Sequence, residues 1–262
     1  MKLLIAVPSK GRYKLITKRT LRYAADLGHD CKVFVEPGEY EHYAEVLDST
    51  LLVSIGANDR GQGFAKVFIH DYAAAHGYDA VFKLDDDIEL WSPGEGIQSN
   101  NRLNTASLLH DTLGKCIKKM QHPLVKAIGF PYKMQMFIQS NAVWKVHQTL
   151  RTAYVVKLDS MAAREDISTF EDFYTTLSIW VNGGTTLRYG RAGMHTGGGA
   201  YVGVTPGGMQ CFDRKQLAEY ELKVFKKLFP PLKINRCSHA WGYEPDLMDA
   251  RKQLFGIVAD SE

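Results

Sequence analysis

Ala80-Val81-Phe82-Lys83-Leu84-Asp85-Asp86-Asp87-Ile88-Glu89-Leu90 is the stretch whose reading decides the fold. A short apolar run rich in β-formers delivers three consecutive carboxylates at the point where a strand would end. Adjacent like charges repel, so the cluster is costly unless solvent or a cation neutralises it. If the chain stays extended, Asp85 and Asp87 share one face and Asp86 takes the other. Two carboxylates on one side, at the carboxyl edge of a parallel sheet, can bind a hard divalent cation. The plain alternative is a solvated acidic turn. A buried-looking strand leading into the triplet speaks against it.

Upstream, Leu3–Val7 reads as a buried strand and 8–12 as the loop after it. Helical spacing is expected from Tyr13 to Leu27, with Gly28 as the stop. A second strand runs from Cys31 to Glu36, and a third apolar run from Leu51 to Ile55. The spacing predicts a helix from Gln62 to His76, its inner face formed by Phe64, Val67, Phe68 and Tyr72. Alternating strands and helices joined by short loops predict an α/β fold with a mostly parallel sheet flanked by helices. Ligands of such a sheet bind beyond the carboxyl ends of its strands.

The glycines of 56–63 match neither familiar nucleotide motif. Gly61 is followed by Gln62 where a phosphate-binding loop needs lysine, and Lys66 stands where the dinucleotide fingerprint needs a third glycine. What remains is a glycine-rich helix entry flanked by Arg60 and Lys66. It could meet a diphosphate or be an ordinary loop with solvated bases.

The succession of a strand ending Val7-Pro8-Ser9-x-x-Arg12, a second ending at Glu36, a loop-helix with Arg60 and glycines, and Asp85-Asp86-Asp87 as a DxD motif resembles the nucleotide-sugar half of GT-A-fold glycosyltransferases. It covers about residues 3–90. More narrowly, the segments at 5–12, 58–66 and 83–88 resemble the phage TET-associated glycosyltransferases, thought to modify hydroxymethylated pyrimidines in DNA. The resemblance implies one GT-A domain over 1–262, a nucleotide-sugar half to about 90 and an acceptor half beyond it. It implies a UDP-sugar donor faced by Pro8, Arg12, Glu36, Arg60, Lys66 and Asp86. It also implies Mn²⁺ or Mg²⁺ on Asp85 and Asp87, with a late histidine, His195 or else His239, as a further ligand. A histidine nitrogen beside two carboxylates suits Mn²⁺ better than Ca²⁺.

Beyond the triplet, 92–104 is polar and is expected as a loop over the site. Asn104 can cap a helix through Met120, and Val125–Phe130 reads as a strand. In Ser168-Thr169-Phe170-Glu171-Asp172-Phe173, Ser168 and Glu171 have capping-box spacing. A buried stripe of Phe170, Phe173, Tyr174, Leu177 and Trp180 predicts a helix ending at Asn182. Asp172 lies off that stripe. In inverting GT-A enzymes an acidic pair at this place supplies the general base, so the resemblance implies Asp172 as catalytic, with Asp166 the competing candidate. Thr185–Arg191 reads as a strand leading to His195.

A helix from Asp213 to Phe229 carries Lys215, Lys223, Lys226 and Lys227, with Lys233 and Arg236 beyond it. This is either a solvated face or a phosphate-backbone contact that agrees with a DNA partner. A last helix is expected over 245–255 as packing.

Composition fits that picture without deciding it. Hydrophobic residues make up 45% of the 262-residue chain and charged ones 23%, as in ordinary soluble proteins. The net charge of +3 neither demands nor opposes a polyanion partner. Four dispersed cysteines indicate neither a zinc cluster nor a disulfide framework. Leu3–Val7 is too short for a signal peptide or membrane span, so no membrane partner and a cytoplasmic location are expected. Two other functions share these features. A sugar-phosphate nucleotidyltransferase would use the same sheet and carboxylates but release pyrophosphate, and a nucleic-acid-binding module would use only the basic segment.

Overall fold

The computed structural model describes residues 1–24, 27–93, 100–102, 106–132, 143–196, 214–237 and 242–256. Its strands are β1 (Leu3–Ser9), β2 (Asp30–Val35), β3 (Leu52–Ser54), β4 (Ala80–Leu84), β5 (Ile88–Pro93), β6 (Asn100–Arg102) and β7 (Val125–Gly129). They continue as β8 (Trp144–Val146), β9 (Ala153–Lys157), β10 (Thr185–Tyr189), β11 (Gly193–Thr196), β12 (Ile234–Arg236) and β13 (Tyr243–Pro245). The α-helices are α1 (Tyr13–Ile16), α2 (Leu21–Ala24), α3 (Tyr40–Ala44), α4 (Gly61–Ala75), α5 (Ala106–Met120), α6 (Glu171–Val181), α7 (Arg214–Leu228) and α8 (Leu247–Phe255).

Eight strands form the main sheet, in the order β3-β2-β1-β4-β9-β7-β10-β8. The β1, β2, β3 and β4 pairings and the β7·β10 pairing are parallel, whereas β9 runs antiparallel between β4 and β7, and β8 antiparallel along β10. Both faces are covered. Leu3, Ile5 and Val7 of β1 pack beneath α1, α2, α3 and α5, while Leu4 and Ala6 pack beneath α4, α6, α7 and α8. A strand buried on both faces is mainly apolar, which is why β1 reads as a hydrophobic run from Leu3 to Val7 and β4 as one broken only by Lys83.

Several expectations need correction. The helix expected over 13–27 is two short ones. Between them, fully buried Thr20 donates its hydroxyl to Asp85 O at 2.6 Å and accepts from Ile88 N at 3.1 Å. A side chain tied to a neighbouring turn leaves no continuous helix there. On α4 the deepest residues are Gly63, Ala65, Lys66, Ile69 and Ala73, and Phe64, Phe68 and Tyr72 are only partly covered. The stretch 92–104, expected as loop, contributes the end of β5 and β6, which pair with each other in a three-stranded sheet completed by β11 on the other side of β5. Asn104 and His239 lie outside the described residues.

Candidate active site

The acid triplet is not extended. β4 ends at Leu84, and Asp85–Asp87 form the turn into β5, so the expected split of faces does not hold. Partner choice divides the three carboxylates differently. Asp86 is nearly fully buried and accepts from Arg12 Nη1 at 2.7 Å and from Ser9 Oγ at 2.5 Å. Because Ser9 has spent its proton there, Tyr43 donates to Ser9 Oγ at 2.6 Å, and Tyr43 in turn accepts from Arg12 N at 3.1 Å. Burial, only partly offset by Arg12, pushes Asp86 up to about 6. Asp87 meets the same guanidinium at 3.4 Å.

Asp85 instead faces Lys83 Nζ at 2.8 Å. Lys83 should alternate to the apolar side of a buried strand, and it is indeed almost inaccessible. It survives there because carboxylates surround it: Glu171 Oε1 at 2.8 Å, Asp85, and Asp172 Oδ1 at 3.6 Å. Burial pulls its ammonium down, but Asp172, Asp85 and Glu171 outweigh that and hold it well above its ordinary range. Glu171 is the centre of this network. It also receives Lys66 Nζ at 2.6 Å, and Lys66 caps Glu171 O at 2.9 Å and Thr175 Oγ1 at 2.6 Å. Burial alone would raise Glu171, yet Lys66 and Lys83 hold it well below the carboxylate range.

Asp172, the next residue in the first turn of α6, goes the other way. Burial, and then Glu171 beside it, push it well above its ordinary value against the pull of Lys83. The sequence-predicted base is thus brought to the acid turn by a chain of three side chains, half-buried Asp85 and buried Lys83 and Glu171, with Asp172 against the same lysine. The competing Asp166 stands apart. Arg164 grips it at 2.8 and 2.7 Å, Tyr220 donates at 2.7 Å, and Arg164 first of all lowers it to about 2.

The remaining predicted residues divide. Pro8 is buried within β1, and Glu36, also buried, binds Lys10 at 2.8 Å. Both lie at the same sheet edge as the acid turn. Arg12 is there too, already engaged by Asp86 and Asp87. Lys66 and Arg60 are not gathered around that turn. Lys66 is buried on Glu171, and exposed Arg60 pairs with Glu165 at 3.0 Å. The glycine-rich entry to α4 serves packing. A Cβ at Gly63 would sit 2.4–2.7 Å from the carbonyl oxygens of Ile167, Arg164 and Glu165, and Gly63 N donates to Ser168 Oγ at 2.9 Å. Carbonyls, not an anion, face that end of the helix. The capping box also fails to form. Glu221, reaching from α7 and fully buried, accepts the backbone N–H groups of Ser168, Thr169 and Phe170 at 2.7–3.1 Å. Of His195, the backbone is described. It lies opposite Glu89 on β11, beside the chain just past Asp87.

A hard cation suits the oxygen donors of this turn. Oδ1 of Asp85 and of Asp172 are buried and accept no aligned hydrogen bond, although each faces Lys83 as an ion pair. Asp87, with its longer contact, is the triplet member least committed to protein partners. Among the described residues no three His, Cys, Asp or Glu side chains form a ready-made metal cluster. The donor chemistry therefore fits a divalent ion that takes its remaining ligands from outside the described side chains. No helix among the described residues is long and apolar enough to cross a membrane.

Comparison with known proteins places this geometry. The profile of the TET-associated glycosyltransferases matches residues 3–197. The structure of S. aureus TarS 1–349 in complex with UDP-GlcNAc superposes with a TM-score of 0.50 at 12% identity, over 84% of this chain and 64% of that one. Looser likenesses are A197 from STIV (TM-score 0.43, 10% identity, 79% of this chain and 89% of that one) and GalNAc-T7 with UDP, GalNAc and Mn²⁺ (0.44, 10%, 96% and 54%). The chain spans 58% to 64% of the length of the TarS structures it matches. No curated protein matches by sequence. At such identities the TarS likeness concerns the fold, which is the GT-A type expected of the sheet.

Proposed function

Because this chain belongs to the TET-associated glycosyltransferase family, we propose that it moves a sugar from a UDP-sugar to the hydroxyl of a hydroxymethylated pyrimidine in DNA. One observation carries the reading. Lys83 and Glu171 join the acid turn at the end of β4 to the first turn of α6, so that the donor-side carboxylates and Asp172 border one site.

In this reading Asp85 and Asp87 hold Mn²⁺ or Mg²⁺, with His195, whose backbone lies opposite Glu89, as the further ligand. When bound, such an ion neutralises charge developing on a departing diphosphate. Arg12 fixes the turn by gripping Asp86 and Asp87 and leaves Asp85 to Lys83. Asp172 accepts the proton of the acceptor hydroxyl as its oxygen attacks the anomeric carbon, an inverting displacement. Lys83 favours the ionised form of Asp172 that the step requires. Glu171, held ionised by two lysines, keeps Lys83 in place. A nucleotidyltransferase would need no base poised beside an acceptor site, and Asp172 speaks against it.

The test incubates the protein with UDP-sugars, Mn²⁺ and oligonucleotides bearing cytosine, 5-hydroxymethylcytosine or 5-hydroxymethyluracil. Mass spectrometry is expected to show one sugar added to a hydroxymethylated strand and none to the plain one. Modification of a glycan with every DNA ignored would remove the acceptor and keep the transferase. Asp87→Asn is expected to abolish Mn²⁺-dependent stabilisation by UDP with the fold intact. Calorimetry giving unchanged UDP affinity in that variant and in EDTA would sink the metal assignment.

A further inference from the structure

The acid turn carries three like charges, and side-chain partners fix only part of its shape. Arg12 and Ser9 hold the carboxylate of Asp86, and Lys83 holds that of Asp85. The backbone between them is held from a distant part of the chain, by Thr20. Its hydroxyl donates to Asp85 O at 2.6 Å and accepts from Ile88 N at 3.1 Å. Residues 85 and 88 are the first and fourth of the turn, whose carbonyl and N–H face each other across a β-turn. One hydroxyl thus bridges both ends of the acid turn. It has a single proton, which goes to the 2.6 Å contact, and Ile88 O at 3.4 Å does not compete for it.

Three features separate this contact from ordinary packing. Thr20 and Ile88 are both fully buried, so bulk water does not substitute for the hydroxyl. The chain also gives up helix for it. Helical spacing runs on from Tyr13 to Leu27, yet α1 stops at Ile16 and α2 begins at Leu21, and Thr20 lies in the break. The residue before it acts on the same part of the chain. Arg19 Nη1 meets Glu89 Oε1 at 3.2 Å, and Glu89 is the residue of β5 whose backbone lies opposite His195 of β11. Residues 19 and 20 therefore hold both the turn that bears Asp85 and Asp87 and the strand that leaves it.

We propose that Thr20 is a positioning residue of the donor site: its hydroxyl sets the backbone of the acid turn, and through it the relation of the Asp85 and Asp87 carboxylates that receive a divalent ion. Thr20 acts through the turn and not as a ligand. The inference rests on the metal reading above and deepens it. Replacing the hydroxyl by a methyl of the same shape takes this partner from Asp85 O and from the N–H of Ile88 in a place closed to solvent. The cost of stranded backbone groups is relieved when the turn changes shape, and the carboxylates then move with it. Groups that orient metal ligands from behind typically control metal affinity by about 10–100-fold.

The experiment compares wild type, Thr20→Val, Thr20→Ser and Ile69→Val as full chains. Ile69 belongs to α4, in the core on the other face of the sheet, so its truncation costs stability without touching the turn. Mn²⁺ alone is titrated into each protein while electron paramagnetic resonance follows the free ion, and thermal unfolding records stability. Thr20→Val is expected to weaken Mn²⁺ binding about tenfold or more. Thr20→Ser, which keeps the oxygen, is expected to bind close to wild type. Ile69→Val is expected to lose stability with Mn²⁺ binding unchanged. If Thr20→Val binds Mn²⁺ like wild type, or Ile69→Val weakens it as much as Thr20→Val does, Thr20 is structural only and the proposal is overturned. Should Thr20→Val not fold, Thr20→Ser against Thr20→Ala isolates the same oxygen, and equal Mn²⁺ binding by those two overturns the proposal. Wild type that binds no Mn²⁺ would remove the metal reading and this inference with it. Wild-type binding that every variant matches would overturn this inference alone and leave the metal reading standing.

Discussion

Asp172 and Asp166 both lie near the start of α6, and their surroundings give them opposite chemistry. A base must be ionised to accept a proton, and it works best when that proton is not too weakly held. Asp166, down at about 2 under Arg164 and Tyr220, holds a proton too weakly to drive the step. Asp172, raised by burial and by Glu171, holds one well. The sign follows directly. The ionised form of Asp172 is present above its raised pKa and is lost as pH falls through it, so kcat/KM should fall on its acid side above the ordinary carboxylate range of about 4. A rate that stays level down to pH 4 would contradict the assignment. Asp172→Asn should cost about 10²–10⁴-fold in transfer while UDP binding persists, and Asp166→Asn should leave the acid limb where it is. The candidate base was singled out by the family resemblance, and by standing off an apolar stripe. Lys83 and Glu171, which set its charge, were not. A lysine within a strand reads as a solvated side chain and a glutamate in a first turn as a cap, and neither pattern reports a buried partner from another element.

At the scale of elements, α6 is positioned by contacts that sequence spacing misattributed. Its first turn needs acceptors for free N–H groups. The local candidates Ser168 and Glu171 have the right spacing, but Ser168 turns to Gly63 N and Glu171 to the two lysines. Glu221 of α7 takes over the cap from far along the chain. Likewise the glycine-rich entry to α4 was read as a diphosphate contact or an ordinary loop, but what approaches Gly63 is the backbone of 164–167. Gly63→Ala is therefore expected to destabilise the protein by roughly 2–3 kcal/mol, the upper range for forcing a methyl into a packed site. The obstacles are three backbone carbonyls rather than the end of a flexible side chain. Urea unfolding measures it directly. A loss below about 0.5 kcal/mol, the usual scale of a surface change, would show that the 164–167 segment gives way freely and does not brace the two helices.

At the scale of the whole molecule, the half of the sheet around β1, β2 and β4 was readable because parallel strands buried on both faces leave mainly apolar runs, interrupted here only by Lys32 in β2 and Lys83 in β4. β9, Ala153–Lys157, has such a run too, but its antiparallel place between β4 and β7 depends on long-range pairing that no local signal encodes. The basic segment was legible as charge and not as surface. The structure exposes Lys223, Lys226 and Lys227 on α7, with Arg236 on β12, while Ala218, Leu222 and Phe225 of the same helix face the core. One helix thus braces α6 through Glu221 and presents a row of cations outward. If these cations touch the DNA backbone, each phosphate neutralised contributes about 0.9 to the slope of log affinity against log salt. Lys226→Ala with Lys227→Ala should therefore weaken DNA binding and lower that slope by up to about 2. Stability and UDP affinity should stay near wild type, since both side chains are exposed and α7 keeps its apolar face. Fluorescence anisotropy with a hydroxymethylated duplex over a range of salt gives the slope. An unchanged slope with unchanged affinity would show that these lysines form a solvated face, and would confine DNA recognition to the surfaces nearer Asp172.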